Sequence, residues 1–223
     1  MESLAVTQVG DRNADRIARR QVDKFGERRS QLANSALQTL AELGYARTSL
    51  REIAQNSEFS HGVLHYYFRD KVDLITHCVR EYKAECVTRY DQIVTDAPSA
   101  RALKHGFGEA LAGTLREDAS MHRLWYDLRN QSLFEKSFHA DVLEIDKSIE
   151  QMIWRIVSQF AELSGAPLAV DSPTAYGMFD GLFQQALFRH LVGDGQAIDR
   201  LPAAVDVAMT TMLVPQRGAK GKR

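Results

Sequence analysis

Residues 60–71, SHGVLHYYFRDK, place two histidines four positions apart and follow them with three aromatic residues and two cations. Four positions are just over one helical turn, so on a helix His61 and His65 share a face. Ser60 is a typical N-cap for such a helix, which we expect to end near Phe68. The stretch therefore presents either half of a metal site or a surface that contacts another molecule.

The elements before this stretch predict two further helices. An apolar stripe predicts a helix over 24–43, and Gly44 follows it as a C-cap. Ser49 and Glu52 have the spacing of a capping box, which predicts a short helix up to about position 56. A connection of about three residues then leads to the helix that starts after position 60. This succession is typical of a helix-turn-helix.

The apolar residues of the two short helices form one set that packs against the first helix. The set comprises Leu50, Ile53, Ala54, Phe59, Val63, Leu64 and Phe68. The residues left to face outward are His61, Gly62, His65, Tyr66 and Tyr67. A helix fits the roughly 12 Å wide major groove of DNA, and glycine there allows close approach. A zinc hydrolase helix would instead carry glutamate where Gly62 stands, and no third ligand is apparent nearby.

Residues 28–75 resemble the DNA-binding domain of TetR-family transcriptional regulators. The residues that carry the resemblance are, in order, Ala36, Gly44-Tyr45, Thr48-Ser49, Ile53-Ala54, Ser60-x-Gly62, Tyr66-x-Phe68 and Lys71-x-x-Leu74. The resemblance implies phosphate contacts for Thr48, Tyr66 and Lys71. It implies groove-facing positions for Ser60, His61, Gly62 and His65. We include Tyr67 among the candidate DNA-contacting residues because it is expected to face outward. His65 and Glu58 depart from the family pattern, which usually has tyrosine and glycine there.

Helical spacing recurs along the rest of the chain, and no strand-like alternation persists. The predicted helices cover about 71–93, 99–116, 120–131, 136–163, 172–192 and 201–213. Ser172 is expected to cap its helix, with Pro173 at the first helical position. We therefore expect an all-α fold with an N-terminal three-helix helix-turn-helix domain and a C-terminal helical bundle. The expected divisions are a flexible arm at 1–23, a DNA-binding domain at 24–71, an effector-binding and dimerisation domain at 72–217 and a disordered tail at 218–223.

The resemblance implies that the C-terminal bundle binds an effector, and its aromatic residues and methionines suit a cavity for an apolar ligand. The candidate effector-binding residues are Phe107, Met121, His122, Trp125, Tyr126, Phe134, Trp154 and Phe183. Aromatic residues at helical spacing are more often core residues of a bundle. Both interpretations stay open for each of these residues.

The segments 174–191 and 201–213 carry apolar residues on more than one face. One face can pack inside its own domain, whereas a second apolar face needs another partner. Two copies of this helix pair would form an isologous four-helix interface. The candidate dimer-interface residues are Phe179, Phe183, Leu187, Val205, Met209 and Met212.

Composition and motifs argue against several other classes of protein. The formal net charge is −1, so a nucleic-acid site must be local. We see no nucleophile elbow, glycine-rich phosphate loop or clustered carboxylates, so we expect no catalytic residues, no cofactor and no metal. No apolar run approaches the roughly 20 residues of a membrane-spanning helix. We expect a cytoplasmic protein with no membrane partner, in which Cys78 and Cys86 are reduced.

The sequence therefore predicts a ligand-responsive DNA-binding transcriptional regulator and not an enzyme. It would bind a palindromic double-stranded operator as a homodimer. The resemblance implies a repressor, which a small apolar or aromatic effector releases from DNA. The alternatives are a helical enzyme and a protein-interaction module without DNA binding. An interaction module would leave the outward Tyr66, Tyr67 and Lys71 without a role.

Overall fold

The computed structural model describes residues 23–37, 39–41, 43–45 and 48–215 of the chain. Helix α1 runs over 23–43, with positions 38 and 42 not described. The later helices are α2 (Leu50–Gln55), α3 (His61–Tyr67), α4 (Lys71–Arg89), α5 (Asp91–Asp96), α6 (Ala100–Ser132), a 3₁₀ turn (Lys136–Phe138), α7 (His139–Ser164), α8 (Ser172–Leu191) and α9 (Leu201–Thr211). The predicted arm up to position 22 and the predicted tail at 218–223 lie outside the described residues.

The fold of the described residues is all-α, as the sequence predicts. Their one extended pairing is an isolated bridge between Leu168 and Leu213. None of the described helices combines the length and apolarity that a bilayer crossing requires. The chain divides into two compact units, Met1–Cys78 and Val79–Arg223, and the division falls within α4. The domain limits predicted from sequence, which end the DNA-binding domain at 71, stay a prediction.

Local sequence signals shape the N-terminal unit. Gly44 follows α1 at φ 75°, a conformation that favours glycine, and its amide donates to Leu40 O at 2.8 Å. The Ser49 hydroxyl accepts from Glu52 N at 3.2 Å, and Glu52 Oε2 accepts from Ser49 N at 2.7 Å. The capping box and the C-cap glycine are therefore confirmed.

The predicted apolar set forms the core of this unit. Leu50, Ile53, Leu64 and Phe68 are buried, while Ala54, Phe59 and Val63 are half-buried. Arg29 adds a polar tie, since its guanidinium pairs with Asp73 at 2.6 Å and lies 5.0 Å from the Phe68 ring centre. These contacts hold α3 by one face, between α1 and the first turns of α4.

One helix limit predicted for the C-terminal unit is wrong and another is confirmed. Helix α4 ends at Arg89 rather than near 93, and Tyr90 separates it from α5. The predicted break between the helices at 99–116 and 120–131 is confirmed, because two helical segments of α6 meet at a kink at Asp118, whose backbone is not helical (φ −119°, ψ 25°). Asp118 Oδ2 accepts from Arg89 Nη1 at 2.9 Å. This tertiary contact ties the kink to the end of α4.

The start of α8 also differs from the prediction. Asp171, not Ser172, is the N-cap, and its Oδ1 accepts from Thr174 N at 3.0 Å. The Ser172 hydroxyl donates instead to Glu150 on α7 at 2.6 Å. Pro173 consequently takes the second helical position, where its missing N–H is still harmless.

Helix α6 packs against α7, α8 and α9 in the C-terminal unit. It approaches α9 closely at Gly108, where an added Cβ would lie 3.1 Å from Pro202 Cα. At the other end of α6, Arg129 pairs with Asp180 of α8 at 2.6 Å and with Asp146 of α7 at 3.4 Å. This packing brings aromatic side chains of α6 and α8 together around the middle of α6.

Candidate DNA-contacting surface and ligand cavity

Helix α3 is fixed by its caps and by one apolar face. Ser60 Oγ accepts from Val63 N at 3.3 Å and so caps the first turn. Leu64 is completely buried, and the C-cap Phe68 is nearly so. The apolar side of α3 therefore faces the core, which leaves the opposite side to solvent.

The outward side of α3 carries four of the predicted DNA-contacting residues. His61, Gly62 and His65 are exposed, and Tyr66 is 71% exposed. A Cβ added at Gly62 would meet no heavy atom within 4 Å, so packing within the chain does not require glycine there. Ser60 is exposed beside them as the cap. The surface formed by these five residues is called the α3 surface below.

Tyr67 lies at the edge of the α3 surface and is half-buried. Its ring packs against Phe25 of α1 with the ring centres 4.7 Å apart. The Tyr66 ring touches the same Phe25 edge-on at 6.1 Å. Phe25 thus fixes the directions of both tyrosines while most of Tyr66 stays accessible.

His61 and His65 share a face, as their spacing predicts. Their Nε2 atoms are 3.1 Å apart. Among the residues that the structure describes, no group of three or more histidine, cysteine or acidic side chains is arranged to hold a metal ion. The two imidazole rings therefore lie next to each other on the solvent side of α3, where both can form hydrogen bonds with another molecule.

Two of the predicted phosphate contacts are engaged within the N-terminal unit. The Thr48 hydroxyl is buried and donates to Gly44 O at 2.6 Å. The Lys71 ammonium donates to Tyr45 O at 2.9 Å and lies 3.9 Å from the Tyr45 ring centre. An ammonium has three N–H donors, so Lys71 keeps others for a second acceptor. Their assignment as phosphate contacts stays a prediction.

The C-terminal unit contains a cavity of about 70 Å³. Four of the predicted effector-binding residues line it, namely His122, Trp125, Tyr126 and Phe183. Phe107 and Met121 are buried elsewhere in the core, Trp154 is half-buried, and Phe134 is 85% exposed. The remaining walls include Leu111, Met152 and Phe179, so most of the lining is apolar.

A buried lysine faces this cavity. Lys83 of α4 is buried, and its Nζ lies 3.2 Å from His122 Nδ1. Since an ammonium can only donate, His122 Nδ1 accepts, and its Nε2 faces the Tyr82 hydroxyl at 3.1 Å. Burial lowers the pKa of Lys83 to about 8. Burial, and then the neighbouring Lys83 charge, lower the pKa of His122 well below its ordinary value, so the imidazole is neutral at pH 7.

The acidic group on the cavity wall is held by other partners. Asp180 accepts from Arg129 at 2.6 Å and from the Tyr126 hydroxyl at 2.9 Å. Burial, followed by the Asp180 charge, raises the pKa of Tyr126, which keeps its proton for this bond. Among the described residues, no ion pair joins Lys83 to a carboxylate. The cavity therefore contains an apolar wall and one cation without a counter-ion.

A family profile described as bacterial regulatory proteins of the tetR family matches residues 32–78. The match covers α1 from Leu32, the α2–α3 pair and the start of α4, which together carry the α3 surface.

Residues 32–78 thus form a DNA-binding domain of the TetR-family type.

Curated relatives agree with this TetR-family assignment. The HTH-type transcriptional regulator BetI of Burkholderia thailandensis is 35% identical over 78 residues, which are 33% of this chain and 40% of that protein. BetI of Burkholderia mallei is 36% identical over 78 residues, which are again 33% of this chain and 40% of that protein. The aligned region thus spans about 40% of the length of the curated relatives that the chain matches. These relatives are named as transcriptional regulators and not as enzymes, in agreement with the expectation from sequence.

Solved structures share the fold over more than four fifths of this chain. FadR from Bacillus subtilis, solved with stearoyl-CoA, superposes with a TM-score of 0.65 at 16% identity and covers 81% of this chain and 97% of its own. A putative transcriptional regulator from Saccharomonospora viridis, solved with choline, gives a TM-score of 0.68 at 18% identity and covers 86% of this chain and 100% of its own. At these identities the likeness concerns the fold alone.

The residues predicted for the TetR-type dimer interface lie inside the C-terminal unit. Phe179, Phe183, Leu187, Val205, Met209 and Met212 are all buried within a single chain, and Phe179 and Phe183 line the cavity. They leave too little surface for contact with a second chain. The exposed apolar residues of the α8 and α9 region are Phe188, Leu191, Val192 and Val207. The exposed residues, rather than the six selected by sequence, are accessible for an interface, and dimerisation itself stays a prediction.

Sequence reasoning missed Lys83 as a cavity residue of this chain. The signal was present, because Val79 and Cys86 lie four positions before it and three after it, and both are buried. A lysine within an apolar helical stripe is unusual, since lysine is almost never fully buried unless it is paired. Lys83 therefore belongs to the buried side of α4, a helix that had been expected only to connect the two domains.

Proposed function

We propose that this chain is a DNA-binding transcriptional regulator that acts in the cytoplasm. The α3 surface carries the proposal, because it is the accessible side of the second helix of a helix-turn-helix whose sequence matches the TetR family. Helices held in this way place their exposed side chains in the major groove of DNA. The α3 surface offers imidazole and hydroxyl groups, which can reach base edges and phosphates.

Gly62 supports a close approach to DNA. It is the second residue of α3, in the first turn, and a Cβ added there would meet open space. Glycine in a helix is less favourable than alanine by roughly 0.5–1 kcal/mol. No contact among the described residues compensates for that disadvantage, whereas a duplex lying against α3 would.

A homodimer on a palindromic operator is part of this proposal. Exposed Phe188 and Val192 of the α8 end, with Val207 of α9, supply an apolar face on adjacent helices. An isologous contact through this face would bring two α3 surfaces to one duplex. Two-fold symmetry of the protein then requires two-fold symmetry of the operator.

Repression relieved by a small effector completes the proposal. The cavity is walled partly by α4, whose first turn carries Lys71 and whose later turns carry Lys83. A ligand can release DNA only if it binds the non-DNA-binding state more tightly. The effector would therefore favour an arrangement of α4 that lowers operator affinity. Bound stearoyl-CoA and choline in proteins of the same fold support a small-molecule effector.

The direct test is selection of duplexes from a random pool with the full chain. We expect retained sequences that contain an inverted repeat, with affinity that falls steeply as salt increases because phosphate contacts release counter-ions. Fluorescence anisotropy of a retained duplex gives the affinity. Retention of no preferred sequence, or binding that is indifferent to salt, would contradict the proposal.

A matched glycine pair tests the role of the α3 surface. Gly62→Ala should raise the free energy of unfolding by about 0.5 kcal/mol, because alanine restricts the unfolded chain. It should nevertheless weaken operator binding by about tenfold or more, since a new methyl group meets the duplex. Gly113→Ala in α6 is the control, because an added Cβ also meets nothing there. It should stabilise the chain without affecting DNA binding. Equal operator affinity for both variants would place the duplex elsewhere.

A further inference from the structure

Lys83 is the least expected residue of the cavity. A buried ammonium without a counter-ion is strongly disfavoured, because burial removes the hydration of the charge. Its close polar neighbour, His122, is a neutral base that can accept a hydrogen bond but cannot balance the charge. The Tyr82 and Trp125 rings lie 5.5 Å and 5.6 Å from Nζ, as weak cation–π neighbours.

The acidic residues nearest to this cation are committed to other cations. Asp180 is bonded to Arg129 and Tyr126, and Asp118 is bonded to Arg89. Within the part of the chain that the structure describes, neither carboxylate forms an ion pair with Lys83. Lys83 therefore presents a buried ammonium that has no ion pair of its own next to an apolar wall. This combination is complementary to a molecule with an anionic head and an apolar body.

We propose that the cavity binds a small organic carboxylate, whose carboxylate oxygen accepts from Lys83 Nζ and whose body packs against Trp125, Phe179 and Phe183. The proposal narrows the apolar effector of the proposed function to an anionic one, and its regulatory meaning rests on that function. A carboxylate at this position supplies the missing counter-ion. The cavity volume of about 70 Å³ suits a short body and not a long acyl chain.

The same charge disfavours cations. A quaternary ammonium such as choline, which is bound in the Saccharomonospora viridis structure, would meet the Lys83 ammonium in this cavity. Like charges at short range in low dielectric repel strongly. This chain should therefore differ in ligand charge from that structural neighbour while sharing its fold.

Four probes test the ligand class on the full-length chain. Butyrate is the carboxylate, butanamide its uncharged isostere, choline the cation and inorganic phosphate the anion without an apolar body. Titration is followed by calorimetry and by fluorescence, since Trp125 lines the cavity. We expect butyrate to bind at least about tenfold more tightly than butanamide, as a charge-assisted hydrogen bond predicts. Choline and phosphate should not bind in the cavity.

Lys83→Met tests the residue, with the exposed Lys147→Met of α7 as the matched control. The Lys83 variant should bind butyrate and butanamide equally weakly, whereas the control should keep the wild-type preference. Circular dichroism checks that the variant is folded. If it is not, wild-type titrations from pH 7 to 10 give the answer, because butyrate affinity should fall as Lys83, whose pKa burial lowers to about 8, loses its charge. The charged or titratable groups nearby are Tyr82, Cys86 and Arg89 of α4, Asp118 and His122 of α6, and Asp180 of α8.

The outcomes separate this inference from the proposed function. Equal binding of butyrate and butanamide, tighter binding of choline or phosphate, or butyrate binding unchanged in Lys83→Met would each overturn the carboxylate assignment. Operator affinity is measured by anisotropy on the same samples. If the chain binds the operator but not butyrate, only the carboxylate assignment is contradicted. If it binds butyrate but not the operator, only the proposed function as a DNA-binding regulator is contradicted. Butyrate that binds and weakens operator affinity supports both.

Discussion

Lys83 occupies the buried side of α4, between Val79 and Cys86. Burial lowers its pKa from the ordinary 10.5 to about 8, so the unfolded chain holds this proton more tightly than the folded chain does. Between these two pH values the unfolded state carries more protons, and the free energy of unfolding therefore rises with pH. Below pH 8 the full destabilisation is present, and it is relieved as pH rises towards 10.5.

Lys83→Met should remove this pH dependence. We expect the variant to exceed the wild type in free energy of unfolding by roughly 3 kcal/mol at pH 7, with a difference that shrinks as pH approaches 10. Urea denaturation followed by tryptophan fluorescence measures it, because Trp125 and Trp154 both lie in the C-terminal unit. Lys147→Met should match the wild type throughout. A difference that is constant with pH would show that packing, and not charge, makes Lys83 unfavourable.

Helix caps are the elements that sequence predicts best in this chain. Ser49 and Glu52 form their capping box within four residues, and Gly44 ends α1 through a bond to Leu40. The information for such contacts is local, so a short sequence window contains it. The hydrogen bond that Arg89 makes to the kink at Asp118 could not be predicted in this way, because the two residues are 29 positions apart.

The parts of the two sites that depend on local sequence were predictable, and the parts that depend on tertiary packing were not. The α3 surface follows from one apolar face on a short helix between two recognisable caps. The inner and outer faces of α8 could not be told apart by periodicity, because Phe183 and Phe188 are equally apolar while one is buried and the other is 65% exposed. Which face meets α6 is decided by tertiary packing, and a single sequence does not contain that choice in local form.

Loss of the Ser49 cap should loosen α2. Ser49→Ala removes the acceptor of the Glu52 amide and should cost about 1 kcal/mol. The amides of α2 should then exchange with solvent roughly fivefold faster, as hydrogen exchange of the full chain measures. The matched control is Ser99→Ala, which removes a single cap bond to Ala102 at the start of α6. It should speed exchange there and leave α2 unchanged. Unchanged α2 exchange in Ser49→Ala would show that tertiary packing alone holds α2.

We expect two chains to assemble into a dimer. The proposed interface is the outer face of α8 and α9, with Phe188 as its largest exposed apolar side chain. An isologous interface contains each residue twice, so one substitution places two charges in the same contact. Phe188→Glu should therefore weaken dimerisation by roughly 100-fold or more. Light scattering after size-exclusion chromatography measures the mass at each protein concentration.

Phe134→Glu is the matched control for this substitution. Phe134 is 85% exposed and follows the end of α6, so it belongs to neither α8 nor α9. Its charge should leave the dimer mass and operator affinity unchanged. Phe188→Glu, by contrast, should lose affinity for the full inverted repeat while keeping the weaker affinity for one half-site, because each α3 surface stays intact and only the link between them is lost. Dimers that persist in Phe188→Glu, or that dissociate equally in Phe134→Glu, would place the interface on another part of the chain.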